Sequence, residues 1–207
     1  PLLAVAGAAL WGAVLAALHA AGMVLAPFVA GIDALRFAAW FALLLSMVAA
    51  VAQRGVFRLL LAVAATAAGA ELVLGGVLLG MAEPPGAWEA AVPGLGGIAG
   101  AVVGLLLVEQ VYRNAGTEGR WALKLLCIGL GIIFAYDLFL FADAVLLRQA
   151  DAGLWAARGY VNALVAPLVA VTAARNPDWS LDVYVSRRFV LHTATLIVVG
   201  GYLVVMA

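Results

Sequence analysis

Residues Arg120–Arg148 read RWALKLLCIGLGIIFAYDLFLFADAVLLR, and this stretch decides the fold. Its roughly 25 central residues, at about 1.5 Å of rise each, cover the roughly 30 Å of a bilayer core with some tilt. Asp137 lies well inside the stretch. A carboxylate at that depth usually faces the interior of a helix bundle or water. The stretch therefore predicts a membrane span with one polar face, packed among other spans.

The whole chain has the composition of an integral membrane protein. Of its 207 residues, 67% are hydrophobic and 11% are charged, and the mean hydropathy is +1.16. A soluble domain is nearer half apolar and a quarter charged. Eleven basic residues balance eleven acidic ones, so no basic surface indicates a nucleic-acid partner. The one cysteine, Cys127, excludes an internal disulfide framework and a metal site built from cysteines.

The hydropathy pattern predicts an all-α polytopic helix bundle that forms one transmembrane domain over residues 1–207. The lipid bilayer is its first expected partner. About seven spans are predicted, at about 2–21, 28–51, 59–81, 94–111, 121–147, 154–174 and 189–207. The segment Ala82–Pro93 (AEPPGAWEAAVP) holds two adjacent prolines and two acids, and it predicts an interfacial loop between spans three and four.

Basic residues are distributed unevenly between the two sides of this bundle. The loops after spans two, four and six hold eight of them: Arg54, Arg58, Arg113, Arg120, Lys124, Arg175, Arg187 and Arg188. The opposite loops hold only Arg148 and Arg158. Because basic loops stay on the cytoplasmic side, the loops after spans two, four and six are predicted to be cytoplasmic.

Small residues form a ridge on span four, where Gly96, Gly100 and Gly104 recur at four-residue spacing. Gly76 and Gly80 repeat the spacing in span three. Such ridges let helix backbones approach closely. Packing within the chain is favoured over a homodimer face, because every span of a bundle needs close neighbours.

Polar residues collect at one predicted level of the membrane. Arg36, Glu71 and Asp137 all fall roughly 12–15 Å below the outer boundary, at about 1.5 Å per residue. The candidate sensing layer comprises Asp33, Arg36, Glu71, Tyr136, Asp137, Asp143 and Asn162. We expect an Arg36–Glu71 ion pair, since neither charge tolerates being unpaired in a bilayer. Two interpretations stay open: an ion-pair network that fixes helix packing, or a ligand or proton site that opens to the outer leaflet.

No sequence motif indicates an enzyme, a metal or a cofactor. HExxH, GxSxG and phosphate-loop patterns do not occur. The predicted spans place His19 and His192 on opposite sides of the membrane, where they cannot share a metal ion. A retinal Schiff base needs a buried lysine, and the only lysine, Lys124, lies at the entrance of a span.

The second half of the chain resembles a known family. The segments that carry the resemblance are EQVYRN (109–114), FAYDLFLFADA (134–144), LWAARGYVNAL (154–164) and AARNPDWSLDVYVSRR (173–188). They resemble the N-terminal membrane domain of PrsK-type sensor histidine kinases, which accompany the PEP-CTERM/exosortase sorting system of bacteria. The first half fits the same domain more loosely.

The resemblance implies a multi-span input module in the bacterial inner membrane. In that family a further span, a GAF-like domain and a histidine kinase core follow, and the kinase works with a response regulator. No phospho-acceptor helix and no ATP-binding glycine boxes occur in these 207 residues. Two interpretations stay open: these residues are part of a longer protein-histidine kinase, or they form a stand-alone membrane domain.

The sequence thus favours a sensory input domain that signals by repacking its helices to a downstream cytoplasmic kinase. The alternatives are a small-molecule or ion transporter, and a membrane component of an export or assembly complex. Uptake into proteoliposomes separates the transporter from the sensor. A partner that co-purifies in detergent would favour the assembly component.

Overall fold

A computed structural model of the chain describes residues 7–14, 26–49, 54–80, 87–148 and 151–175. Within these ranges, side chains are described except at residues 26–30, 71, 74–80, 87–93, 118, 152, 173 and 174. The described residues form helices α1 (7–14), α2 (Ala26–Ala49), α3 (Arg54–Gly80), α4 (Ala87–Asn114), α5 (Thr117–Leu147) and α6 (Ala152–Arg175). The all-α prediction is confirmed for this part of the chain.

Four of the helices are long and apolar enough to cross a membrane. The qualifying stretches are Gly31–Ala49 in α2, Gly94–Asn114 in α4, Gly119–Leu147 in α5 and Gly153–Thr172 in α6. These four helices indicate a membrane-embedded protein. The seven predicted spans are not confirmed as a set. The first is described only over residues 7–14, α3 is not among the four, and the seventh lies outside the described residues.

Helix α4 begins earlier than the sequence predicted. It starts at Ala87, inside the segment predicted as an interfacial loop, and it continues through Pro93. The run AWEAAV before that proline contains residues that helices accept readily. A proline is also tolerated in a membrane helix, because neighbouring groups can satisfy the backbone carbonyl that it leaves free. The prediction of a loop as far as Pro93 is therefore wrong.

Consecutive helices pack side by side, α2 with α3, α3 with α4, α4 with α5 and α5 with α6, and α2 also packs against α4. Only Ala115 and Gly116 separate α4 from α5, and so short a connection makes the two helices antiparallel neighbours. The start of α2, the end of α5 and the start of α6 consequently share one end of the bundle. The end of α4, the start of α5 and the end of α6 share the other.

Three phenylalanines form the centre of the core. Phe37 and Phe41 on α2 meet Phe134 on α5, with ring centroids 5.8–6.3 Å apart. The Phe37 and Phe134 rings stack with only 12° between their planes. Aromatic pairs of this kind contribute about 0.5–1.5 kcal/mol beyond the area that they bury. The cluster holds α2 and α5 together beside α4.

The glycines of α4 make room for these rings. Gly104 faces Phe134, and a Cβ atom added to it would lie 2.5 Å from that ring. Gly100 faces Phe37 in the same way, where an added Cβ atom would lie 3.2 Å from the ring. The predicted preference for packing within the chain is confirmed at both positions. The ridge admits phenylalanine rings rather than a second helix backbone.

We expect Gly104→Ala to lower the free energy of unfolding by about 1–3 kcal/mol, because the new methyl group overpacks a buried aromatic cluster. Unfolding by SDS in mixed micelles measures the change. Gly131→Ala in α5 is the matched control, since a Cβ atom there meets nothing within 4 Å. The control should raise stability slightly, because alanine forms helices better than glycine. Equal losses in the two variants would contradict the close packing of Gly104.

Candidate functional site

Four charged side chains from three helices meet inside the bundle. Asp33 and Arg36 come from α2, Asp137 from α5 and Arg158 from α6. Each residue is between 0 and 2% exposed. Charged side chains are almost never buried to this degree unless they are paired. We call these four residues the charge ring.

The contacts within the ring form a closed cycle of alternating arginines and aspartates. Arg36 Nη2 donates a hydrogen bond to Asp137 Oδ2 at 2.5 Å, and Arg158 Nε donates to the other oxygen of Asp137 at 2.7 Å. Arg158 Nη1 donates to Asp33 Oδ2 at 2.7 Å, and Arg36 Nε lies 3.6 Å from Asp33 Oδ1. Each carboxylate therefore faces both arginines, and the formal charges of the ring sum to zero. Mutual pairing is what makes four buried charges tolerable in an apolar environment.

Helix geometry and arginine length together place these groups. Asp33 and Arg36 lie three residues apart on α2 and therefore share one face of that helix. α2 packs against α3 and α4, whereas α6 packs against α5. The Arg158–Asp33 hydrogen bond consequently joins two helices that are not close neighbours. A planar guanidinium can reach two carboxylates at once through its separate N–H groups.

Aromatic rings enclose the two guanidinium groups. Trp11 of α1 donates its indole N–H to Asp33 Oδ1 at 2.6 Å. Its ring centroid lies 4.8 Å from Arg36 Cζ and 5.2 Å from Arg158 Cζ. Rings within about 6 Å of a cation attract it through their quadrupole. The remaining rings of this enclosure are Phe37 beside Arg36, and Phe141 and Trp155 beside Arg158. Trp11 thereby attaches α1 to the charge ring.

Some N–H donors of the two arginines have no acceptor among the described residues. Arg36 Nη1 and Arg158 Nη2 are buried, and neither donates a hydrogen bond to any residue that the structure describes. All four carboxylate oxygens, in contrast, face donors: Asp33 takes Trp11 and Arg158, and Asp137 takes both arginines. The ring therefore has spare donors and no vacant carboxylate oxygen.

Three of the predicted site residues, Asp33, Arg36 and Asp137, are brought together by the fold. Glu71 lies in α3, but its side chain is outside the described side chains, so the Arg36–Glu71 ion pair stays a prediction. Among the described side chains, the ionic partners of Arg36 are Asp137 and Asp33.

The other predicted residues lie beside the ring. Tyr136 donates its hydroxyl to the Leu154 carbonyl at 2.7 Å, which ties α5 to the first turn of α6. Asn162 Nδ2 donates to the Arg158 carbonyl at 2.9 Å, one turn earlier on α6. Asp143 is half-buried and makes no ion pair with a described side chain. Tyr136 and Asn162 support the backbone around Arg158, whereas Asp143 is not part of the ring.

Arg158 is the ring residue that the sequence interpretation missed. The sequence interpretation counts it with the outer loops although it falls inside the span predicted at 154–174, and the structure places it in the second turn of α6. Charge balance could have found it, because the predicted layer set one cation against four carboxylates and intramembrane charges require partners. The predicted orientation of the loops stays a prediction.

No protein-family model, curated protein or solved structure matches the chain. The fold and the site by themselves define a helical membrane protein with an internally neutralised charge ring between α2, α5 and α6.

Proposed function

We propose that this chain is the membrane sensory module of a bacterial sensor histidine kinase, and that the charge ring is the element that responds to the stimulus. The observation that carries the proposal is the Arg158–Asp33 contact, which joins α2 to α6 inside the membrane. The resemblance of residues 109–188 to PrsK-type kinases supports the kind of partner. The same proposal places the module in the inner membrane, with the end that carries the start of α5 in the cytoplasm.

The charge ring is better suited to a change of helix packing than to holding the helices in one fixed arrangement. Buried ion pairs contribute little net stability, because desolvation offsets most of their attraction, and apolar residues would hold the helices equally well. Each arginine already faces both aspartates, and each keeps a donor that no described residue uses. A small shift of one helix can therefore exchange hydrogen-bond partners between the arginines and the aspartates of the ring, and no charge is left unpaired. Two packings of similar free energy are the requirement for a population shift.

Helix α6 connects the ring to the opposite end of the bundle. Arg158 lies near its start, Pro167 lies in its middle, and Arg175 is its last residue. Proline removes one backbone hydrogen bond and makes that point of a helix easy to bend. At the same level α5 and α6 are in close contact, because a Cβ atom on Gly129 would lie 2.7 Å from Val165. A change at Arg158 would thus alter the direction in which the end of α6 points.

The open reading frame beyond Ala207 tests the kinase assignment. We expect a further span, a phospho-acceptor histidine and an ATP-binding domain. Membranes that carry the natural gene product should then autophosphorylate with labelled ATP. Arg158→Lys should change that rate several-fold at an unchanged amount of folded protein, because lysine lacks the planar fork that reaches both aspartates. A stop codon directly after Ala207 would contradict the proposal.

Transport and export assembly are the competing functions. The ring does not favour cation transport, because all four of its carboxylate oxygens already face donors. We therefore expect proteoliposomes of the purified chain to take up neither sodium nor protons above the rate of empty vesicles. Uptake that Asp137→Asn abolishes would replace the sensor with a transporter.

A further inference from the structure

A second polar surface lies at the end of the bundle opposite the charge ring. Arg120 and Lys124 stand one turn apart on α5, and Arg175 ends α6. Trp121 lies between them and is 63% exposed. We call these four residues the basic collar. The apolar stretch of α5 begins at Gly119, and the apolar stretch of α6 ends at Thr172. The collar therefore lies at one end of both apolar stretches.

The side chains of the collar are held in place. Arg175 Cζ lies 4.5 Å from the centroid of the Trp121 ring, which is a cation–π contact between α6 and α5. Arg120 donates from Nε to the Ala115 carbonyl at 3.0 Å and from Nη2 to the Arg113 carbonyl at 3.2 Å. It thereby covers backbone acceptors at the end of α4. The collar is a surface of α5 and α6, and its Arg120 also contacts the end of α4.

The positive charges of the collar are not neutralised within the described part of the chain. Arg120, Lys124 and Arg175 make no ion pair with any described side chain. The nearby Arg113, in contrast, pairs with Glu109 at 2.8 Å. The end of α5 and α6 therefore carries three cations near one exposed indole, and a negative group at the same depth would be complementary to them.

An apolar stripe continues from the collar into the membrane. Ile128 and Ile132 follow Lys124 at four-residue spacing and therefore lie on the same face of α5. They are 44% and 48% exposed. A ligand that contacted both Lys124 and this stripe would have a charged head and a hydrocarbon tail.

We propose that the basic collar binds the headgroup of an anionic phospholipid of the surrounding leaflet. Its phosphate would accept hydrogen bonds from Lys124 and Arg175, since arginine and lysine donate strong charge-assisted bonds to phosphate. Trp121 would lie beside the glycerol at the level where interfacial tryptophans settle. One acyl chain would run along Ile128 and Ile132. This site is independent of the charge ring and of the kinase assignment.

Native mass spectrometry of the purified chain tests the site, with dioleoyl-phosphatidylglycerol and dioleoyl-phosphatidylcholine as matched lipids. The wild type should retain phosphatidylglycerol in preference to phosphatidylcholine. Lys124→Gln with Arg175→Gln should weaken that retention about tenfold or more, since each substitution removes a charge-assisted hydrogen bond to the phosphate. The matched control is Arg54→Gln with Arg58→Gln, which removes two exposed charges from the same end of the bundle. It should change retention by no more than about twofold, because Arg54 and Arg58 lie on α3, whereas the residues that would hold the phosphate lie on α5 and α6.

Equal retention of the two lipids, or an equal loss in the two double variants, would overturn the proposal. Lys124→Arg with Arg175→Lys keeps the charges and should restore binding, which separates a lost site from a misfolded protein. Excess glycerol phosphate should not displace the lipid, because it lacks the chain that contacts Ile128 and Ile132. Displacement by glycerol phosphate would assign the collar to a soluble phosphate instead.

Discussion

Asp137→Asn is expected to lower the free energy of unfolding by about 3–5 kcal/mol, the usual cost of removing one partner from a buried ion pair. Asp137 accepts hydrogen bonds from both Arg36 and Arg158. The asparagine would leave two buried guanidinium groups to share the one remaining carboxylate, Asp33. Unfolding by SDS in mixed micelles measures the change, and it should appear without loss of helix content in the native micelle.

Glu109→Gln is the matched control for this prediction. It also removes one carboxylate from an ion pair with arginine, but that pair lies at the surface, with side chains 37% and 48% exposed. Exposed pairs at this helical spacing contribute about 0.3–0.5 kcal/mol. If Asp137→Asn cost no more than the control, the charge ring would not be buried in the folded protein.

Replacing the whole ring with apolar residues should restore the stability that the single change removes. The variant is Asp33→Leu, Arg36→Met, Asp137→Leu and Arg158→Met together. Apolar side chains of similar volume often match or exceed a buried ion network, because no charge has to be desolvated. We expect a free energy of unfolding within about 2 kcal/mol of the wild type, with Trp11 losing its acceptor as the main cost.

Signalling by the same variant shows whether the ring has a role in signalling or only in helix packing. In the parent kinase that we propose, the apolar ring should abolish any response of autophosphorylation to stimulus while the protein remains folded. A stable variant whose autophosphorylation still responds to stimulus would show that the ring serves helix packing alone. That result would contradict the proposed function. A variant less stable than Asp137→Asn would show that the ring stabilises the fold as a unit.

Composition predicted the all-helical class of the described residues, and α5 shows why. The span predicted at 121–147 lies within Thr117–Leu147, because an apolar run of about 25 residues between basic residues has one natural interpretation. Asp33, Arg36 and Asp137 were found for a related reason. Charges inside apolar helices are rare, and depth along the chain places them at a common level.

The pairing within that level could not be predicted from the sequence. The partner of Arg36 depends on how each helix is rotated about its own axis. The hydropathy pattern does not determine that rotation. Arg158 was missed because a basic residue six positions from the start of α6 has the pattern of a loop residue that flanks a span. Trp11 was missed because a tryptophan in an apolar stretch has no feature that sets it apart from a core or lipid-facing residue.

A double-mutant cycle between Asp33 and Arg158 tests the central claim most directly, since these residues join α2 and α6, which are not closely packed neighbours. The cycle combines Asp33→Asn and Arg158→Gln, and unfolding in mixed micelles gives the free energies. Residues within one buried network are coupled by 0.5–3 kcal/mol, and we expect about 2 kcal/mol here. The Glu109–Arg113 pair should give no more than about 0.5 kcal/mol. A coupling energy of zero between Asp33 and Arg158 would contradict the closed charge ring.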